Sequence, residues 1–131
     1  MKKKLFLLFS PVACFLSSCE KDTPLHHLIH ETDVVRVYIY SGDQLTVKYF
    51  TNDIDQIKKW DNYIADDSAA AAANCNFEGR LVFKVYEDST EMKFSLRPGC
   101  HVVSYSLNGN SYSKSLTPEG IAYLESLKRI E

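Results

Sequence analysis

The chain has 131 residues, 15 lysines and arginines against 17 acids, a formal charge of −2 and four cysteines. That length suits one domain, and a mildly acidic chain with no basic run beyond its first residues argues against nucleic acid as a partner. The spacings GxSxG, HExxH, GxxxxGK[ST] and GxGxxG do not occur, which sets aside the common esterase, metalloprotease and nucleotide-binding signatures.

The first residues come in the order of an export signal. Lys2, Lys3 and Lys4 precede an apolar stretch of twelve residues, Leu5–Leu16, and then Ser17, Ser18 and Cys19. Twelve helical residues rise about 18 Å, too short for a hydrocarbon core of about 30 Å, so the stretch reads as a signal segment and not as a span. Leu16-Ser17-Ser18-Cys19 resembles the lipobox of bacterial lipoproteins. The resemblance implies that residues 1–18 are removed and that Cys19 becomes a lipidated first residue, holding the protein on a membrane by its acyl chains. Glu20-Lys21-Asp22 then resembles the short charged export signal of surface lipoproteins in the Bacteroidota; a plain charged tether is the other reading. The whole start is similar to small uncharacterised lipoproteins of that group, which implies a cell-envelope address, the outer membrane above all, on its periplasmic or surface-facing side.

Removal of residues 1–18 takes away three lysines and no acid and moves the formal charge from −2 to −5. Cys14 leaves with the signal, and Cys75 and Cys100 remain as one pair. In an oxidising compartment a disulfide is expected between them. Their spacing matches neither a zinc ribbon nor a CxxC redox centre.

Residues 19–33, with Pro24, three histidines and scattered acids, read as a tether, and residues 34–131 as one α+β domain. Val34–Tyr40 and Gln44–Phe50 are rich in β-branched and aromatic residues and flank Ser41-Gly42-Asp43, a hairpin. Thr51 or Asn52 then caps a helix whose apolar stripe is Ile54, Ile57, Trp60 and Ile64. The alanines 69–73 favour helix but offer no large residue to pack, so a surface excursion stands equally beside a helix. Four more strands follow, Arg80–Tyr86, Glu91–Arg97, His101–Leu107 and Ser111–Leu116, with turns at Asp88-Ser89, Pro98-Gly99 and Asn108-Gly109. Thr117 caps a last helix with Pro118 at its first position and Ile121, Leu124 and Leu127 on its inner face. The expected architecture is an antiparallel sheet of about six strands, ββαββββα, with two helices on one face.

Alternation divides each strand between the two faces. With Val35, Val37, Ile39, Leu45, Val47, Leu81, Phe83, Val85, Met92, Phe94 and Leu96 inside, the outer face receives Arg36, Tyr38, Tyr40, Lys48, Lys84, Tyr86 and Lys93, together with Arg80 and Arg97. Six of the twelve lysines and arginines of the mature chain then share one face. Such a face suits an acidic protein or glycan partner, although outward positions of any solvated sheet are polar. His26 and His30 stand four apart and would suit a metal on a helix, but no carboxylate or thiolate is fixed near them in sequence, and no metal or other cofactor is expected. His101 beside Cys100 would activate a free thiolate, which the expected disulfide removes. Glu87, Asp88 and Glu91 flank a turn, where acids belong anyway. The expectation is a non-enzymatic, lipid-anchored binding module. A structural subunit of an envelope complex, or a small hydrolase or redox protein, are the alternatives.

Overall fold

The computed structural model describes residues 23–69 and 75–130. Residues 1–18, expected as a signal segment, Cys19 and alanines 70–73 lie outside the described residues. Among them the elements run α1 (Pro24–Glu31), β1 (Val34–Ser41), β2 (Gln44–Thr51), α2 (Ile54–Lys58), α3 (Trp60–Tyr63), β3 (Ile64–Ser68), β4 (Gly79–Val85), β5 (Asp88–Ser95), β6 (Val102–Leu107), β7 (Asn110–Leu116) and α4 (Pro118–Lys128). The strands form one antiparallel sheet in the order β2-β1-β4-β5-β6-β7-β3. The helices cover one of its faces, so the fold is α+β, as the alternation predicts, with seven strands where six are expected.

Two helices start on the same chemistry. Thr23 and Thr117 each precede a proline, and each hydroxyl accepts a hydrogen bond from the backbone three residues on, His26 N at 3.2 Å and Gly120 N at 3.1 Å. The cap satisfies an orphan donor, and the proline fills a position whose N–H has no helical partner. In α1 the residues at positions 25, 28 and 29 (Leu, Leu and Ile) recur at helical spacing and are buried. Residues 24–31 are therefore a packed helix and not part of a tether. Helix α2 is capped by Asp53, whose carboxylate accepts from Asp55 N, and not by Thr51 or Asn52 as expected. Ile64 ends the expected helical stripe early by entering β3.

The core lies between this helical layer and the inward residues of the strands. Across the sheet one inward row runs Tyr49–Val37–Leu81–Met92–Tyr105–Tyr112 by direct pairing. Above it Trp60 is fully buried, edge-on to Phe83 at 5.8 Å, to Tyr63 at 5.1 Å and to Tyr123 at 5.8 Å, an arrangement that the ring quadrupoles favour. Burial pushes the Tyr105 hydroxyl up to about 12. Burial and a hydrogen bond with Tyr49 raise that of Tyr123 as well. Both rings therefore stay neutral and act as packing. Gly120 is required here, because a Cβ on it would collide with the Tyr63 carbonyl, and its absence lets α4 approach α3 closely.

Cys75 and Cys100 form the expected disulfide, with Cα atoms 5.7 Å apart. It ties the segment entering β4 to the segment entering β6 across the end of β5. The outward positions Ser95 and Val102 at that end are buried, at 0% and 8% exposure. Neither cysteine is therefore a free thiolate for His101 to activate.

Candidate functional site

The face of the sheet opposite the helices carries a second set of rows. One runs Val47–Tyr38–Arg80–Lys93–Ser104–Ser113, each residue directly opposite the next. Another places Phe50, Arg36, Val82 and Glu91 in line. The face thus changes character along the strand order. Along the first row it is apolar and aromatic on β2 and β1, basic on β4 and β5, and lined with serines on β6 and β7; the second row adds a cation, Arg36, on β1 and an acid, Glu91, on β5.

The expected partner-binding residues divide on this face. Arg36, Tyr38, Tyr40, Lys84 and Lys93 stand outward as alternation predicts. Lys84 pairs with Ser89 and Lys93 with Arg80. Lys48 does not belong to the face. A bulge between the Val37–Tyr49 and Tyr38–Val47 pairs leaves Lys48 as the extra residue, and its ammonium donates instead to the Ile130 carbonyl beyond α4. The same slip turns over the strand before it: Leu45 and Val47, expected inside, stand outward opposite Tyr40 and Tyr38, and Thr46 between them stands inward opposite Ile39. Tyr86 is not a strand residue either. The loop between β4 and β5 is Tyr86-Glu87, two residues before the expected turn, with Tyr86 at φ 53° and 83% exposed.

Two basic residues converge where the face is concave. Tyr40, Phe77, Gly79, Arg80 and Lys93 line a hollow of about 230 Å³. The Arg80 guanidinium lies 3.6 Å from Glu91, a loose pairing, and its Nε is buried with no hydrogen-bond partner among the described residues. A buried donor left unpaired costs about 1–3 kcal/mol. On the row beside it, the Arg36 guanidinium sits 5.5 Å over the Phe50 ring, which fixes an aromatic surface outside the core.

The structure also joins residues that sequence spacing does not connect. On α1, the rings of His26 and His30 lie with centroids 4.0 Å apart, tilted by 41° to each other. Asp61 of α3 reaches them from 31 and 35 residues away. Its Oδ2 lies 3.1 Å from His26 Nδ1 and 2.8 Å from His30 Nε2. The i, i+4 spacing of the histidines is legible in the sequence; the carboxylate that completes the group is not, because only the packing of α1 on α3 supplies it. A separate cleft of about 670 Å³ opens between α1 and the strand ends, with His27, Leu28, Glu31, Val85, Thr90 and Leu107 among its walls.

No protein-family model, curated protein or solved structure matches the chain. Among the described residues no helix is long and apolar enough to cross a membrane.

Proposed function

We propose that the chain is the precursor of an envelope lipoprotein, anchored at Cys19, whose domain is a non-enzymatic module that binds an acidic protein or glycan on its outer sheet face. The observation that carries this reading is the hollow in which Arg80 and Lys93 converge, with exposed Lys84 four residues further along β4 on the same face, in a mature chain of net charge −5. A basic site in an acidic chain concentrates the attraction for an anion on one place. Tyr40 and Phe77 on its walls supply the aromatic surface that interfaces and carbohydrate contacts both use. The address rests on Lys2–Lys4, the apolar Leu5–Leu16 stretch and the Leu16-Ser17-Ser18-Cys19 run, and an acyl anchor would present the domain from a membrane surface without spanning it.

Charge reversal tests the face. The Lys84→Glu, Lys93→Glu double variant should lose retention on immobilised polyglutamate and on an immobilised sulfated glycan at low salt, with its melting temperature unchanged. Unchanged retention on both would overturn the reading. Protease shaving of intact cells tests the address. Loss of the domain places it outside, whereas protection until the outer membrane is opened places it in the periplasm. Recovery of the protein in the soluble cytosolic fraction would refute the anchor.

A further inference from the structure

The histidine–aspartate group is independent of the outer face and lies on the helical side of the sheet. Helix α1 is locked at its start by the Thr23 cap and along its length by burial of Leu25, Leu28 and Ile29. One helical turn separates positions 26 and 30, so the two imidazoles leave the helix on the same side. Helix α3 is held as firmly, since Trp60, the residue before Asp61, is fully buried. Three side chains on two packed helices are thus brought together by the core itself.

We propose that His26, His30 and Asp61 bind a divalent first-row transition ion, with Zn²⁺ as the ion its donors suit. The nitrogens His26 Nδ1 and His30 Nε2 both point at one carboxylate oxygen, at 3.1 and 2.8 Å, and the three donor atoms all lie within 4.8 Å of one another. Donors around tetrahedral zinc, with Zn–N bonds of about 2.0–2.1 Å, are separated by roughly 3.3–3.4 Å. Two of the three separations are therefore already close to what the ion imposes, and a small movement of the histidines toward each other completes the set. Two borderline imidazole nitrogens and one carboxylate oxygen are the donor set that zinc takes in sites with three protein ligands. Asp61 is 17% exposed and His30 39%, so the group is set into the surface with one side open. That side leaves a coordination position to water or to a donor from a partner. An ion there ties α1 to α3 and fixes the first helix of the domain onto the core.

Zinc binding by the full-length chain tests the site. The chain is prepared without a polyhistidine tag and with Cys14→Ser and Cys19→Ser, which removes the two thiols outside the disulfide. Titration against a colorimetric zinc chelator should give one Zn²⁺ per chain, and Zn²⁺ should raise the melting temperature. Loss of a second-shell contact already weakens metal sites about 10–100-fold, so His30→Gln and Asp61→Asn should each weaken binding by at least about tenfold and abolish the rise in melting temperature. Circular dichroism of the variants confirms that they fold; His30, at the exposed rim, is the safer of the two. His27→Gln, on the neighbouring cleft, should leave binding unchanged. The Co²⁺-loaded chain should show visible d–d bands that His30→Gln removes. Absence of stoichiometric Zn²⁺ binding, or binding that survives both ligand variants, would overturn the proposal.

Discussion

The two faces of one sheet are built from the same strands by the same alternation, yet they are finished differently. The inner face is complete. Strands β1, β4, β5 and β6 each send large apolar side chains under the helices, and the residues buried there include Val35, Val37, Leu81, Phe83, Met92, Phe94 and Val103. Among the described residues no helix covers the outer face. Its row from Val47 through Tyr38, Arg80 and Lys93 to Ser104 passes from apolar to basic to hydroxyl. The inner row is constrained by packing at each step, so its residue types are interchangeable only within a volume. Neighbours on the outer row are not constrained in that way, and a like-charge pair such as Arg80 opposite Lys93 opposes the pairing of β4 with β5. Its presence on the uncovered face, and not on the packed one, separates what the fold needs from what a partner would read.

The sharpest way to break this comparison is to remove the residue that closes the inner face. Trp60→Ala takes away the ring against which Phe83, Tyr63 and Tyr123 rest, and denaturant unfolding should show a loss of about 3–5 kcal/mol. A loss below about 1 kcal/mol would mean that the helical layer is not what stabilises the sheet.

The next largest effect concerns the one end where the outer face is closed. The Cys75–Cys100 bond spans a sequence separation of 25 residues, and a loop of that size corresponds to about 3 kcal/mol in the chain-entropy account. Reduction should lower stability by about that amount and should speed amide exchange at Ser95 and Val102 before the rest of β5 and β6. Exchange that quickens uniformly would show instead that this corner is protected by the sheet alone.

The inner face was the legible part of the molecule. Burial follows a period of two through β1, β4 and β5, the glycine turns at Gly42 and Asn108-Gly109 take positive φ as those residues allow, and α4 starts at its threonine–proline pair. The same pair opens α1, and Leu25, Leu28 and Ile29 follow at helical spacing. The three histidines beside them read as solvated polarity, because what joins two of them, His26 and His30, into a group is Asp61 on another helix. Strand β3 has no strand composition in Ile64-Ala65-Asp66-Asp67-Ser68. It forms because β7 offers an edge, with Ile64 opposite Leu116 and an irregular join to Ser68 opposite Lys114. The Lys48 bulge was hidden for a different reason. Leu45, Val47 and Tyr49 share one phase of a period of two, so alternation puts all three on the inner face; the extra residue Lys48 splits them, with Tyr49 opposite Val37 and Val47 opposite Tyr38, and nothing in the composition of β2 marks it. Pairing of Leu81 with Met92 likewise leaves only Tyr86 and Glu87 for the turn, whatever the turn preference of Asp88-Ser89.

That bulge leads to the smallest effect and the most discriminating one. Val47 is 50% exposed and Phe50 51% exposed on the outer face of an edge strand. Had the register run without the slip, Val47 would be a core residue, and polar substitution would cost what a buried valine costs. With the slip, Val47→Thr keeps the β-branch and the strand preference and changes only the outward surface. Its unfolding free energy should stay within about 0.5 kcal/mol of the parent. A loss several times larger would place Val47 under the helices and return Lys48 to the outer face. An unchanged fold with weaker retention on a protein partner, and not on a glycan, would extend the binding surface from the basic hollow to the apolar edge, since an aliphatic side chain contributes to a protein interface mainly by burial.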